Sequence, residues 1–230
     1  MDGVLTDTAA IHEAAWARTF DAFLERRGEP FRPFSHDDYL RHVDGKPRLD
    51  GVRDFLASRG ITLDPGNPDD PSGAPTVHGL GREKNAAFRA VLESQGIAAF
   101  ADAVHLLDRL AAAGIEVAAI SSSRNAKDVL RAAGIRDRFA VLVDGQVSQA
   151  LGIPGKPAPD IFLAAAQELR VAPEQSAVAE DATAGVEAAR QGDFAFVLGI
   201  ARNGGAEALT AAGADAVVAS FDTVSIRGEN

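Results

Sequence analysis

A chain of 230 residues, 46% apolar and 24% charged, has room for one large domain or for a core plus an inserted module, and can bury a sizeable core. Its net charge of −10 argues against a nucleic-acid partner, which needs a basic face, but not against an anionic small molecule, because a few local cations outweigh a distant field. The absence of cysteine excludes disulfides, thiol chemistry and zinc–thiolate sites and fits a cytoplasmic protein; no run reaches the ~18 apolar residues of a membrane span, and the first residues have no signal-peptide pattern.

Residues 8–27 predict a helix, with Ile11, Ala15, Phe20, Phe23 and Leu24 at helical spacing and Gly28 as a stop. Residues 36–43 and 48–59 predict two more, joined by a turn at 44–47. The Pro- and Gly-rich stretch 63–74 is a loop, and helix returns over 82–95. A helix over 101–113 then leads into an apolar strand ending at Ile120. Helices at 125–133, 159–169, 184–191 and 204–212 alternate with strands at 140–143, 176–180, 194–198 and 215–218. Strands alternating with helices make a parallel sheet, so the expected fold is α/β. Residues 1–8 and 96–230 form a Rossmann-like core, and 9–95 form an inserted helical cap.

Open α/β sheets bind ligands beyond the carboxyl ends of their strands. The residues collected there are Ser121, Ser122, Ser123, Arg124 and Asn125 after one strand, and Glu180 and Asp181 after another. Gly155-Lys156-Pro157 leads into the helix at 159, and Asp2-Gly3-Val4-Leu5-Thr6-Asp7-Thr8 stands at the start of the chain. Hydroxyls, one lysine and several carboxylates at one sheet edge suit a magnesium-dependent phosphoryl site: hard oxygens hold the cation, and the donors neutralise phosphoryl oxygens.

In order, these pieces resemble the four motifs of the haloacid dehalogenase superfamily, and the chain is most similar to its β-phosphoglucomutase group. Asp2 to Thr8 looks like the tail of Asp-x-Asp-Gly-Val-x-x-Asp-Thr; Ser121, Lys156 and Glu180-Asp181 match the second, third and fourth motifs. The resemblance covers nearly the whole chain. It implies Asp2 as general acid/base that also lends its backbone carbonyl to Mg²⁺, Ser121 and Lys156 as holders of the transferring phosphoryl group, and Glu180 and Asp181 as further metal residues. It also implies an aspartyl-phosphate nucleophile one residue ahead of the motif's variable position, which is occupied here by Met1. The expectation is therefore a start assigned to an internal methionine, a sheet lacking its first, central strand, and no turnover by residues 1–230 alone.

Thr8 at the end of the first motif, and His12, Trp16, Gly45, Arg48, Lys84 and Asn85 in the cap, resemble positions that β-phosphoglucomutases use for substrate. His12 and Trp16 lie four apart on one helix face. Ser122, Ser123, Arg124 and Asn125 resemble residues that hold the non-transferring phosphate. Plainer readings stand beside these. An acidic pair favours a helix N-terminus, serines cap helices, Trp16 can be core, and Arg48 and Lys84 can be solvated surface. The function implied is a Mg²⁺-dependent hexose 1-phosphate/6-phosphate mutase acting as a monomer on a small-molecule sugar phosphate. The alternatives are a sugar-phosphate phosphatase and a catalytically dead sugar-phosphate binder.

Overall fold

The computed structural model describes residues 1–44, 46–202 and 204–227. The chain forms two compact units: Thr8–Gly96, and Met1–Asp7 together with the chain from Ile97 onward. No helix among the described residues is long and apolar enough to cross a membrane.

The unit Thr8–Gly96 is helical. It contains α1 (Ala9–Arg26), a short α2 (His36–Asp38) that runs into a π-helical turn over Tyr39–Val43, α3 (Arg48–Ser58) and α4 (Val77–Gln95). The apolar stripe of α1 explains the packing: Phe20 is fully buried and stacks on Phe55 of α3 with ring centroids 4.0 Å apart. Leu56, Leu80 and Phe88 are equally buried. Ser35 and Asp38 form a capping box at the start of α2, and Asp38 also pairs with Arg32 (3.0 Å) and Arg59 (2.8 Å). Helix α4 begins at Val77, five residues before the expected start. Gly79 and Gly81 suggest a loop in the sequence, but Thr76 caps the Gly79 amide at 3.0 Å. A side chain at Gly79 would strike the Ala74 carbonyl, so the glycine serves close packing rather than a break.

The other unit carries the sheets. α5 (Ala101–Ala112) precedes β1 (Ala118–Ile120), followed by α6 (Ala126–Ala132), β2 (Val141–Val143), α7 (Gly145–Leu151) and α8 (Asp160–Leu169). Then come β3 (Ala177–Glu180), α9 (Thr183–Gln191), β4 (Phe196–Ile200), α10 (Ala206–Ala211) and β5 (Ala216–Val218). All strand pairs are parallel, in the orders β1-β2 and β3-β4-β5. Ile161 and Phe162 of α8 and Val186 of α9 bury the apolar faces of Val143, Val178 and Val197. This is the expected α/β architecture, and it has no strand joining β1 to β3 among the described residues. Helix α7 is an addition to the expected elements, at an Asp144-Gly145 pair that could equally open a turn. The Asp144 carboxylate instead accepts the Gln146 and Val147 amides (2.9 and 3.0 Å) and starts a helix. β4 runs two residues later than expected and ends at Ile200.

Candidate active site

Met1 to Thr6 form a tight loop at the carboxyl end of β1. The Met1 amino group donates to the Ile120 carbonyl (3.3 Å), and the Gly3, Val4 and Leu5 amides donate to the carbonyls of Thr6, Asp2 and Met1 (2.9, 2.8 and 2.8 Å). Gly3 has φ +64°, and a side chain there would collide with the Asp181 carboxylate. Glycine thus lets this loop approach the end of β3 closely.

The loop after β1 is ordered by its own hydroxyls. Buried Ser121 donates its hydroxyl to Asp2 Oδ2 (3.3 Å) and accepts the Ser123 amide (3.1 Å). Ser123 Oγ accepts the Asn125 amide (3.2 Å), so this serine supports the start of α6. Ser122 and Arg124 are exposed, and Asn125 is buried. Helix α7 braces the loop: the Gly145 amide donates to Ser123 O (3.2 Å) and the Gln146 side-chain amide to Arg124 O (2.9 Å).

Lys156, ahead of α8, donates to Glu180 Oε1 at the end of β3. Glu180 Oε2 accepts the amides of Asp181 (3.0 Å) and Ala182 (3.2 Å). Burial works against the Glu180 charge, but the Lys156 ammonium, the Met1 amino group and these amides outweigh it, so its pKa lies below the usual range. Asp181 moves the other way, up to about 7, first through burial and then through the charges of Glu180 and Asp2. Asp181 keeps an exposed face, so solvent tempers the burial contribution.

Of the three residues expected at the metal, Glu180 has both oxygens engaged, one by Lys156 and one by two backbone amides. Among the described residues no three His, Cys, Asp or Glu are grouped to hold a metal ion. Asp2 and Asp181 remain as oxygen donors whose mutual repulsion raises the Asp181 pKa. That donor set fits Mg²⁺, which takes one or two carboxylates and completes its shell with water and phosphate oxygens.

In the helical unit, Thr8 precedes α1, and its carbonyl accepts the His12 amide (2.9 Å). Lys84 is buried, with Nζ 2.6 Å from His12 Nδ1 and 4.9 Å from the Trp16 ring centroid. Where Lys84 is charged it only donates, and His12 Nδ1 is then the acceptor. Trp16, expected on a substrate face, is a core residue stacked on Phe20. Arg48 opens α3 half-buried, with its stem near Gly81, and half-buried Asn85 follows Lys84 on α4. Gly45 lies outside the described residues.

Two residues beside these loops carry no motif signal: Asp144, which caps α7, and Arg202, which donates to the Gly3 and Val4 carbonyls (3.1 Å each). Arg202 stands two residues past β4, a strand that ends later than its apolar pattern suggests.

The family model described as haloacid dehalogenase-like hydrolase matches residues 1–193. The chain is 49% identical over 227 residues to a β-phosphoglucomutase of Mycobacterium bovis, spanning 95% of this chain and 86% of that protein. It is 29% identical over 234 residues to a phosphorylated carbohydrates phosphatase of Thermotoga maritima, spanning 100% of this chain and 96% of that protein. The crystal structure of a β-phosphoglucomutase from Clostridium difficile matches with TM-score 0.74 at 25% identity, covering 98% of this chain and 90% of that one.

Proposed function

This chain belongs to the haloacid dehalogenase-like hydrolase family and is an enzyme of that type, and from that premise we propose that it transfers a phosphoryl group between the 1- and 6-positions of a hexose phosphate, with Mg²⁺ as cofactor. The observation that supports the reading is the Asp2–Ser121 hydrogen bond at the end of β1, which joins the residue proposed as acid/base to the hydroxyl proposed to hold the phosphoryl group. The 49% identity to a β-phosphoglucomutase supports the mutase over other phosphotransfers.

Each residue then has a task. Ser121 donates to an oxygen of the transferring phosphoryl group, and Lys156 supplies a cation that stays in place because Glu180 holds it. Asp2 gives a proton to the leaving sugar oxygen and takes one from the attacking hydroxyl. Asp2 and Asp181 would hold Mg²⁺, which supplies positive charge against the phosphoryl oxygens. Arg48, Lys84 and His12 favour a substrate with a second phosphate, and Ser122, Ser123, Arg124 and Asn125 offer donors for it. Asp2 matches the second aspartate of the family's first motif, the acid/base position.

The test is conversion of β-glucose 1-phosphate to glucose 6-phosphate with Mg²⁺, compared between the protein and its Asp2→Asn variant. Turnover that is lost in Asp2→Asn is the expected result. Release of inorganic phosphate in place of glucose 6-phosphate would establish the phosphatase reading, which the Thermotoga maritima relative favours. Binding without turnover would leave a sugar-phosphate binder.

A further inference from the structure

The guanidinium of Arg202 reaches back 199 positions to the first loop. Its Nε donates to the Gly3 carbonyl (3.1 Å) and its Nη2 to the Val4 carbonyl (3.1 Å). Its third arm, Nη1, donates to Asp102 Oδ2 (2.8 Å) at the start of α5. The same carboxylate oxygen accepts the Phe221 amide (2.7 Å) and the Ser220 hydroxyl (2.8 Å). The guanidinium lies 4.0 Å from the Phe100 ring centroid and 5.4 Å from that of Phe221. Arg202 is thus fixed on three sides before it touches the loop.

The loop satisfies most of its carbonyls locally. Met1, Asp2 and Thr6 carbonyls accept loop amides, and Leu5 O accepts the Phe100 amide (2.9 Å). The consecutive carbonyls of Gly3 and Val4 are the two that the Arg202 fork takes. Gly3 in turn packs so closely on Asp181 that no side chain fits between them. A displacement of Gly3 therefore changes the approach of Asp2 to Asp181.

We propose that Arg202 is a positioning residue, which sets the height of the Gly3–Val4 turn and through it the spacing of Asp2 and Asp181. The inference rests on the reading of Asp2 and Asp181 as residues of the Mg²⁺ site. It assigns a role to a residue outside the four motifs. Lysine cannot replace the fork, because one ammonium on a flexible stem cannot hold two carbonyls and a carboxylate in a fixed plane.

The test uses Arg202→Lys and Arg202→Met in the full chain, each read by calorimetric Mg²⁺ titration and by amide exchange at Gly3, Val4 and Leu5. The expected result is Mg²⁺ affinity weakened by about tenfold or more. Exchange at those three amides should quicken while Val197 and Leu198 stay protected. The lysine variant keeps a cation for Asp102, and so remains informative if the methionine variant does not fold. An Arg202→Lys chain that binds Mg²⁺ as tightly as the unsubstituted chain overturns the positioning role. An unsubstituted chain that binds no Mg²⁺ overturns the metal-site reading instead, and unchanged exchange in the variants would then overturn the hold of Arg202 on the loop.

Discussion

Lys156 is bonded to Glu180, and that pairing decides which of the two acidic residues after β3 is left to face Asp2. Glu180 turns inward to an ammonium and two backbone amides, and Asp181 keeps its open side. Two adjacent carboxylates thereby acquire opposite pKa shifts.

Glu180→Gln should therefore act on stability. It keeps the shape and can still accept the amides, but it leaves the Lys156 ammonium without its carboxylate in a site where both side chains are largely buried. Removing one partner of such a pair costs about 3 kcal/mol or more. Urea unfolding monitored at pH 7 measures it; a loss below ~1 kcal/mol would show the pair to be solvent-screened.

Asp181 gives a pH dependence of opposite sign. Its folded pKa of about 7 lies above the unfolded value of 3.8, so its contribution to stability is full below 3.8 and is lost as pH rises through 7. At the proposed metal site Mg²⁺ must displace that proton. Affinity should therefore rise about tenfold per pH unit below 7 and level off above it. Asp181→Asn should flatten the profile and weaken Mg²⁺ binding. Titrations at pH 5.5, 6.5 and 8 would decide the matter, and an affinity constant across that range would remove Asp181 from the site.

Asp38 is the acid-sensitive point of the helical unit. Burial opposes its charge, but bonds from Arg59 and from the Ser35 hydroxyl and amide bring its pKa to about 2. Its folded pKa is depressed, so its stabilisation of about 2 kcal/mol is present above 3.8 and disappears as pH falls towards 2. Trp16, the single tryptophan, sits in the core of this unit and reports its unfolding by fluorescence. Asp38→Asn should lower the urea midpoint at pH 7 and leave it nearly unchanged at pH 2.

Gly3→Ala should separate metal binding from folding. The left-handed backbone costs a non-glycine residue about 1–2 kcal/mol, and the new methyl displaces the Asp181 carboxylate. The expected variant folds, melts a few degrees lower, and binds Mg²⁺ at least tenfold more weakly. Unchanged Mg²⁺ affinity would mean that Asp181 swings aside without leaving the site.

Much of this was legible because its causes are local. Alternating apolar strands and helices specify the α/β unit, and the Phe20 and Phe23 stripe specifies a packed helix. Ser121, Lys156, Glu180 and Asp181 could be singled out because strand ends are where open sheets place ligands. What escaped depends on distant partners. The division of labour between Glu180 and Asp181 needs the position of Lys156, 24 residues earlier. The burial of Trp16 needs Phe20 to face Phe55 of another helix. Glycines at 79 and 145 signal flexibility in one dimension, but in three they are places where a backbone must pass close by.

The two parallel sheets share no ladder of hydrogen bonds among the described residues, so apolar packing is what joins them. Ile161 and Phe162 of α8 lie in one buried cluster with Val143 of the first sheet and Val178 and Val197 of the second. Side-chain burial, not strand pairing, therefore couples the loop that carries Ser121 to the strand that ends in Glu180. A large-to-small change at Phe162 would loosen both together, although it alters neither polar group.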